Sequence, residues 1–236
     1  MKIIHPPTMA SLWSGTGSQH AAWEDAGYRI ASVEINPKFN PTMLTDILNV
    51  TADDIREELM VDRPTWLWAS VDCSTFSLAT RIRHYDRHFQ PITEKGEYMM
   101  KRLIHTLELI DELDPLFFLV ENPRGLMRKL PIMQKYHRHT VTYCQYEEQH
   151  AMKMTDLFGI VPQGWFPQCC QYTRGVKEMP CHPFTPRGAK WGTQGKSKAD
   201  RGKIPYGLGE SLVLATVKSG FQRARSILED WTRIHE

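Results

Sequence analysis

Two short apolar runs each end in a side chain that can take part in chemistry. Cys73 follows residues 66–71, and Glu121, with Asn122 beside it, follows residues 116–120. Runs of this length predict buried strands, and the carboxyl ends of parallel strands meet at the edge of a sheet where catalytic groups gather. Taken singly, Cys73 is typical of a small buried hydrophobe and Glu121 of a capping or salt-bridged acid. Their predicted proximity favours a reactive site.

A glycine turn precedes both residues. An apolar run over residues 9–13 is followed by Ser-Gly-Thr-Gly-Ser and by residues 19–26, which can form a helix. This order predicts a strand, a turn that lets the backbone approach a ligand, and a helix. Residues 28–34 predict a second strand ending in Glu34, about 20 residues after Gly15, where a nucleotide-binding βαβ unit places a carboxylate for ribose hydroxyls.

The elements that would position these groups alternate along the chain. Further strands are predicted over residues 43–47, 139–146 and 155–161, helices over 51–60, 94–113 and 204–236, and a basic loop over 76–91. Asp46, near the end of the third strand, could accept an adenine amino group or cap the following segment. We expect an α/β, doubly wound, mostly parallel seven-stranded sheet with a small irregular insert.

Composition is that of an ordinary globular protein. The chain has 236 residues, 41% of them hydrophobic and 24% charged, and a formal net charge of +2. No run is apolar enough to span a bilayer, and the first residues lack a signal-peptide segment, so we expect a cytoplasmic protein without a membrane partner. Five cysteines, an odd number, favour thiol chemistry or metal binding over a disulfide framework.

Basic residues are concentrated in three clusters, although the small net charge does not by itself indicate a polyanionic partner. The clusters are Arg81, Arg83, His84, Arg87 and His88; Arg124, Arg128, Lys129, Lys135, Arg138 and His139; and Arg187, Lys190, Lys196, Lys198, Arg201 and Lys203. Each alone is typical of a solvated face. Three basic loops in one modest domain would suit a phosphate backbone.

The order of these motifs resembles that of DNA (cytosine-5) methyltransferases, in particular the short forms of phages and prophages, over nearly the whole chain. Residues 12–17 resemble the glycine loop, Cys73-Ser74-Thr75-Phe76-Ser77 the nucleophile motif, and Glu121-Asn122-Pro123 the Glu-Asn motif. Gln145 and Lys153 lie where the family has a Gln-x-Arg-x-Arg strand. Residues 201–211 resemble the last motif, which returns to the donor pocket, and residues 187–195 also have the look of the short phage enzymes.

The resemblance implies a Rossmann-like, S-adenosylmethionine-dependent enzyme that methylates carbon 5 of cytosine in double-stranded DNA through a covalent Cys73 adduct on a flipped-out base. The catalytic residues it implies are Cys73, Glu121, Asn122 and Lys153. The cofactor-binding residues it implies are Trp13, Ser14, Gly15, Thr16, Gly17, Glu34, Ile35, Asp46, Ile47, Ser70, Gly209 and Ser211. The DNA-contacting residues it implies are Ser77, Arg81, Arg83, Arg124, Arg187 and Lys190.

Two positions depart from the family pattern. Val71-Asp72 replaces the proline or prolines that usually precede the nucleophile, and the arginines of the Gln-x-Arg-x-Arg strand are missing, which leaves Lys153 as a substitute. A carboxylate beside a thiol raises the pKa of the thiol unless nearby cations offset it. We therefore expect Asp72 to turn away from Cys73 or to pair with a cation.

We expect the chain to consist of three segments. Residues 1–161 form a catalytic and S-adenosylmethionine-binding domain, residues 162–203 form an irregular insert, and residues 204–236 form a helical segment that packs back on the catalytic domain. The insert contains Cys169, Cys181 and His182, which could bind zinc, although their spacing is not that of the usual zinc knuckles. The alternative is an insert with reduced thiols. The insert is also where we expect DNA recognition.

Two other functions stay open at the level of sequence. The same chemistry could act on cytosine in RNA. A non-catalytic protein that binds S-adenosylmethionine or nucleic acid is also consistent with Asp72 and the missing arginines. We expect a monomer.

Overall fold

The computed structural model describes residues 6–77, 81–147, 152–171 and 202–235. The strands are β1 Thr8–Leu12, β2 Arg29–Glu34, β3 Met43–Leu44, β4 Trp66–Ser70, β5 Phe117–Pro123, β6 Arg138–Thr142 and β7 Met154–Ile160. The helices are α1 Ala21–Asp25, α2 Ala52–Leu59, α3 Arg81–His84, α4 Glu94–Leu113 and α5 Tyr206–His235.

These strands form one open seven-stranded sheet in the order β3-β2-β1-β4-β5-β7-β6. The pairs from β3 to β5 are parallel, whereas β7 runs antiparallel to both β5 and β6. The predicted α/β, doubly wound and mostly parallel sheet is therefore confirmed. The order reverses beside β1, so β1 and β4 end at the place where open α/β sheets bind ligands.

Each face of the sheet carries its own core, because alternate residues of a strand point to opposite sides. One core joins Leu12 and Leu67 to α2 and α4, and the other joins Met9 to α1 and α5. In the second core the ring of Trp23 packs edge-on against Trp66 and Trp68 of β4, with centroids 5.4 and 5.8 Å apart. The strand that leads to Cys73 is thus fixed from both faces.

Helix α4 begins and ends where the sequence predicts. The Thr93 side chain accepts a hydrogen bond from the Gly96 N–H at the first turn, and Asp114 ends the helix in the left-handed conformation. The buried stripe includes Met99, Leu103 and Leu107, which follow the helical repeat. This helix packs behind β4 and β5 and supports the edge where they end.

Three elements differ clearly from the predicted bounds, and the first is the predicted strand over residues 43–47, which covers only Met43–Leu44. The predicted loop over residues 76–91 contains the short helix α3. The predicted strand over residues 139–146 ends at Thr142, and a 3-10 turn over Tyr143–Gln145 follows because the Tyr143 side chain is buried under β5. In the described part of the chain, no helix has the combination of length and apolar character that a membrane span requires.

Candidate active site

Cys73 lies in a tight turn just beyond β4. The N–H groups of Phe76 and Ser77 both donate to the Cys73 carbonyl, at 3.2 and 3.1 Å. The carboxylate of Asp72 accepts the Ser74 N–H at 2.7 Å, which caps the first residues of the turn. The contact that the structure describes for Asp72 is thus with a backbone N–H, and the expectation that Asp72 turns away from Cys73 or pairs with a cation stays a prediction. An aspartate in place of the usual proline therefore stabilises the nucleophile turn locally.

Electrostatics around the thiol are mixed. Cys73 is exposed at the surface, but desolvation of its thiol by the surrounding atoms raises its pKa, and the negative charge of Glu121 raises it further, whereas Lys153 lowers it. Asp72 makes a smaller contribution that also raises the pKa of Cys73. The net shift is upward, so the thiol form is favoured in the protein without substrate. The cation that the sequence placed at Lys153 acts on the thiol in the expected direction.

Glu121 is positioned by strand pairing. In the parallel register of β4 and β5, Glu121 is opposite Ser70. Ser70 precedes the nucleophile Cys73 by three residues. Its carboxyl is 4% exposed, and Oε1 accepts the Tyr143 hydroxyl at 2.9 Å and lies 3.7 Å from Nζ of Lys153. The Lys153 ammonium also lies 4.6 Å from the centre of the Tyr143 ring. Both described contacts of the carboxyl thus use the same oxygen.

Asn122 ties the ends of β4 and β5 together. Its Nδ2 donates to the Val71 carbonyl at 2.9 Å, which fixes the backbone just before Cys73. Its Oδ1 is fully buried and has no hydrogen-bond partner among the described residues. A buried polar atom without a partner is costly and is typical of functional sites. Because Glu121 and Asn122 are consecutive residues of β5, their side chains point to opposite faces of the sheet, and Asn122 acts on the site through the Val71 backbone.

The glycine turn lies at the end of β1, beside β4. Gly15 and Gly17 have φ angles of 50° and 79°, which favour glycine, and Ser14 donates its N–H to Val33. The Glu34 carboxylate accepts three backbone N–H groups, from Gly15, Ile35 and Asn36, at 3.0 Å each. A carboxylate has about four acceptor positions, so Glu34 holds the turn and keeps capacity for a ligand hydroxyl. Thr16, by contrast, donates its hydroxyl to Ser18.

A small cleft opens between this turn and β2. Its lining consists of Trp13, Val33, Glu34, Ile35, Thr45, Ile47 and Arg102. Apolar walls suit a flat aromatic ring and a carboxylate suits ribose hydroxyls, which is the chemistry of the nucleoside part of S-adenosylmethionine. The free volume of the cleft is only about 10 Å³, so its lining side chains must move apart to admit a nucleoside. Four of the predicted cofactor-binding residues, Trp13, Glu34, Ile35 and Ile47, line this cleft.

The Asp46 carboxylate accepts hydrogen bonds from three groups of the protein itself. It accepts the Leu48 N–H at 3.0 Å, Nε of Arg102 at 3.0 Å and the Tyr98 hydroxyl. Burial by itself would raise the pKa of Asp46, but these hydrogen bonds and the charge of Arg102 lower it below its ordinary value. Asp46 is therefore a stable anion whose two oxygens already have donors.

The C-terminal segment lies beside the glycine turn. The Ile204 N–H donates to the Ser18 hydroxyl at 3.0 Å. Gly209 packs on α1, where an added Cβ would lie 2.9 Å from both Ala22 and Trp23, and the Ser211 hydroxyl accepts the Trp165 indole N–H at 3.0 Å. These are packing contacts of α5, and the predicted contact of Gly209 and Ser211 with the cofactor stays a prediction. Ser70 likewise accepts the Trp68 indole N–H at 3.0 Å.

The basic clusters do not all face solvent. Arg83 and Arg124 are exposed beyond the strand ends, and Ser77 follows the nucleophile turn. Arg128, however, forms a two-pronged ion pair with Asp156, whose side chain is 1% exposed, and is not available to phosphates. Lys135 pairs with Asp111 at 3.2 Å. No side-chain placement is described for Arg81, and Arg187 and Lys190 lie outside the described residues.

The described residues contain no candidate zinc site. Within residues 6–77, 81–147, 152–171 and 202–235, no group of three or more His, Cys, Asp or Glu side chains could hold a metal. The Cys169 thiol instead donates to the Thr140 carbonyl at 2.9 Å. The other two predicted ligands, Cys181 and His182, lie outside the described residues.

Sequence reasoning missed two residues of this region. Tyr143 lies in the segment 139–146, which the sequence predicts to be a strand. No signal in the sequence indicates that its hydroxyl donates a hydrogen bond to Glu121. Arg102 does have a signal, because it follows Met99 by three residues and precedes Thr106 by four, on the buried stripe of α4. A charged residue on an apolar helix face indicates a specific partner.

The sheet order, the glycine turn at β1, the acid at the end of β2 and the thiol beyond β4 together define a Rossmann-like methyltransferase domain. Residues 8–154 match the family described as C-5 cytosine-specific DNA methylase. The chain belongs to this family. Curated proteins give no match to the sequence.

Three of the solved structures with a similar fold illustrate the likeness. A DNA modification methyltransferase encoded within an E. coli prophage is 19% identical over 65% of this chain and 46% of its own, with a TM-score of 0.48. Spodoptera frugiperda DNMT2 is 16% identical over 72% and 57%, with a TM-score of 0.46. Entamoeba histolytica EhMeth is 10% identical over 71% and 57%, with a TM-score of 0.49. The chain therefore spans about half the length of these proteins.

Proposed function

We propose that this protein transfers a methyl group from S-adenosylmethionine to carbon 5 of cytosine in DNA through a covalent adduct with Cys73. The observation that carries the proposal is the arrangement of one thiol, one carboxyl and one ammonium group at adjoining strand ends. Glu121 and Lys153 are 3.7 Å apart, and both alter the pKa of Cys73. These are the nucleophile, hydrogen-bonding carboxyl and cation that addition to a cytosine ring requires.

The chemistry requires an activated ring, since carbon 5 of cytosine is a weak nucleophile. The Cys73 thiolate adds to carbon 6, and the electron pair of the carbon 5–carbon 6 double bond becomes available at carbon 5. Glu121, in its protonated form, donates a hydrogen bond to ring nitrogen 3 and shares that proton with the ring as charge develops there. S-adenosylmethionine, when bound, supplies an electrophilic methyl group to carbon 5. A base then removes the proton from carbon 5, the electron pair of that C–H bond restores the carbon 5–carbon 6 double bond, and the Cys73 thiolate leaves.

Lys153 is proposed to act on both partners of this addition. Its ammonium lowers the pKa of Cys73 and lies near Oε1 of Glu121. In the absence of substrate, the upward shift of the Cys73 pKa keeps the thiol protonated.

Two observations favour duplex DNA as the proposed substrate: exposed arginines lie near the strand ends, where they can contact phosphates, and the chain belongs to the C-5 cytosine-specific DNA methylase family. The target atom cannot be reached inside a stacked duplex, so the base must be flipped into the pocket. Exposed Arg83 and Arg124 flank the strand ends and would contact phosphates. The prophage enzyme of similar fold is a DNA modification methyltransferase. We also propose that the protein is a soluble enzyme of the cytoplasm. Arg187 and Lys190 are proposed as further DNA contacts.

The test uses radiolabelled S-adenosylmethionine with duplex DNA and, in parallel, with transfer RNA. We expect label at carbon 5 of cytosine in DNA, and a covalent complex with DNA that contains 5-fluorocytosine. Cys73→Ala should abolish both, whereas Cys169→Ala, the same change at an exposed cysteine outside the site, should abolish neither. Label on adenine, or activity retained in Cys73→Ala, would contradict the proposal. Label in RNA alone would move the substrate to RNA, and donor binding without adduct or label would indicate a non-catalytic relative.

A further inference from the structure

Three polar side chains form a hydrogen-bonded cluster beneath the glycine turn. Ser11 lies on β1, and Gln19 and His20 follow the turn. Ser11 and Gln19 are buried, with 0% and 2% of their surface exposed. Buried polar groups need hydrogen-bond partners, and Nε2 of Gln19 and Nδ1 of His20 each lie 2.7 Å from Oγ of Ser11. The cluster therefore joins the strand before the turn to the two residues after it.

The Gln19 amide closes the glycine turn onto the sheet. Its Nε2 donates to the Leu12 carbonyl at the end of β1, at 3.1 Å, and to the Trp68 carbonyl of β4, at 3.5 Å. Carbonyl groups only accept, so the nitrogen of the amide and not its oxygen must face them. The Ser11 hydroxyl oxygen, at 2.7 Å, accepts from the same nitrogen. Gln19 thus ties the turn to β1 and to the strand that leads to Cys73.

The direction of these hydrogen bonds continues from Ser11 to His20. Because the Ser11 oxygen accepts from Gln19, its single hydroxyl proton is available to Nδ1 of His20. A ring whose Nδ1 accepts is a neutral imidazole with its proton on Nε2. This Nε2 lies against the turn, since a Cβ added at Gly17 would be 3.1 Å from it. The neutral ring of His20 therefore supports the backbone of Gly17, which is predicted to bind the donor.

We propose that Gln19, Ser11 and His20 are positioning residues for the methyl donor, and that they hold the glycine turn in its binding shape only while His20 is neutral. A proton on Nδ1 would direct an N–H group at the Ser11 oxygen, and the Ser11 hydroxyl proton would lose the acceptor that the structure describes for it. The turn would then lose part of its support. The inference rests on the proposed use of S-adenosylmethionine and deepens it, because it makes donor binding dependent on pH.

The surroundings of His20 favour the neutral ring at neutral pH. Burial lowers the pKa of His20 below its ordinary value, and the charge of Glu24 on α1 offsets this only in part. Ser11 on β1 is uncharged, and Asp25 on α1 accepts the Tyr206 hydroxyl of α5 at 2.9 Å. His20 therefore takes up a proton only as the pH falls below about 6.5, the ordinary value for histidine. Donor affinity should be complete above this pH and decrease below it.

Calorimetry of the full chain with S-adenosylhomocysteine measures donor affinity without any need for turnover. Gln19→Met keeps the length of the side chain and removes the amide, and we expect affinity at pH 7.5 to fall about tenfold, the effect of one or two lost hydrogen bonds. The matched control is Gln134→Met. Nε2 of Gln134 also donates to backbone carbonyls, those of Arg128 at 2.7 Å and Leu130 at 3.4 Å, but far along the chain from the turn. This control should change affinity less than about twofold.

Variants of His20 separate a support that depends on the protonation state from one that depends on packing alone. His20→Leu removes the acceptor and should lower affinity severalfold at every pH. His20→Asn offers an amide oxygen to the Ser11 hydroxyl and cannot be protonated, so it should restore affinity at pH 7.5 to within about threefold of the wild type.

The pH profile gives the second measurement on the same proteins. Wild-type affinity should fall at least about twofold between pH 7.5 and pH 5.0, as expected when one group titrates in this range, and His20→Asn should lack this loss. An equal loss in the wild type and in His20→Asn, or a wild-type affinity that is the same at both pH values, would overturn the inference.

Each variant is first compared with the wild type by thermal melting. If Gln19→Met does not fold, Ser11→Ala interrupts the same hydrogen bonds at their shared atom, and affinity should again fall severalfold. Absence of S-adenosylhomocysteine binding in the wild type contradicts the proposed function. Wild-type binding with unchanged affinity in folded Gln19→Met, Ser11→Ala and His20→Leu contradicts only this inference.

Discussion

The hydroxyl of Tyr143 donates a hydrogen bond to Oε1 of Glu121 at 2.9 Å, and both side chains are buried. The contact is made possible by the end of β6 at Thr142, after which a turn directs the tyrosine ring under β5. Because Tyr143 and Lys153 both approach Oε1, Oε2 is the oxygen left for a cytosine ring. Tyr143 is therefore a positioning residue for the proposed carboxyl.

Tyr143→Phe removes this hydrogen bond and keeps the buried ring. We expect kcat to fall about tenfold, the effect of one lost hydrogen bond to a charged group, while the affinity for S-adenosylhomocysteine is unchanged because the donor cleft is built by other strands. Single-turnover methylation and calorimetry measure the two quantities. Equal losses in kcat and in donor affinity would indicate a general disturbance of the fold instead.

The reactivity of Cys73 should depend on pH in a direction set by its surroundings. Desolvation of the thiol and the charge of Glu121 raise its pKa above the ordinary value, so the thiolate fraction is small at neutral pH and grows as the pH rises through the shifted value. Alkylation of Cys73 by iodoacetamide, followed by peptide mass mapping, should be slow at pH 7 and accelerate into the alkaline range. Fast alkylation at pH 7 would show that the thiol is already ionised.

Variants of the two charged neighbours should move this alkylation in opposite directions. Glu121→Gln removes a negative charge, lowers the pKa of Cys73 and should speed alkylation at pH 8. Lys153→Met removes the compensating cation, raises that pKa and should slow it. Each change should be at most about tenfold, which corresponds to one pKa unit. A shift of both variants in the same direction would mean that charge does not control the thiol.

The sheet and its active edge could be predicted because they depend on local patterns. Apolar runs predict strands, the repeat of α4 predicts a helix over Glu94–Leu113, and parallel strands end at the same edge. The positions of Cys73 and Glu121 next to each other follow from these rules alone. Strand ends were less accurate, since β5 continues through Glu121 to Pro123 and carries the Glu-Asn motif within the strand.

Side-chain partners across the fold could not be predicted in the same way. The Arg128–Asp156 pair joins a turn after β5 to β7, and its residues are 28 positions apart. Nothing in the local sequence distinguishes such an arginine from one on a solvated face, so Arg128 was grouped with exposed basic residues. The partners of Arg102 and Tyr143 were missed for the same reason, because tertiary packing and not periodicity brings them together.

The Arg128–Asp156 pair should contribute strongly to stability. Arg128→Met would leave the Asp156 carboxylate, whose side chain is 1% exposed, without its cation. Among the described side chains, the Thr140 hydroxyl at 2.9 Å would then be its remaining donor. We expect a loss of about 3–5 kcal/mol in the free energy of unfolding, measured by urea denaturation. Arg124→Met is the matched control, because Arg124 is exposed and is not ion-paired within the described part of the chain. A loss below about 1 kcal/mol at Arg128 would show that the pair is weak.

Gly209→Ala tests whether the last motif contacts the donor directly or through packing. An added Cβ would lie 2.9 Å from Ala22 and from the Trp23 ring, and overpacking of this kind costs about 1–3 kcal/mol of unfolding free energy. If Gly209 touches the cofactor, affinity for S-adenosylhomocysteine should fall more than this strain explains, even when binding is measured well below the melting temperature.

Because the Ile204 N–H already joins this segment to Ser18 of the glycine turn, we expect the stability to fall and the affinity to stay within about threefold. Calorimetry at 10 and 25 °C separates the two effects, since partial unfolding would lower the fraction of binding sites and leave the dissociation constant of the folded protein unchanged.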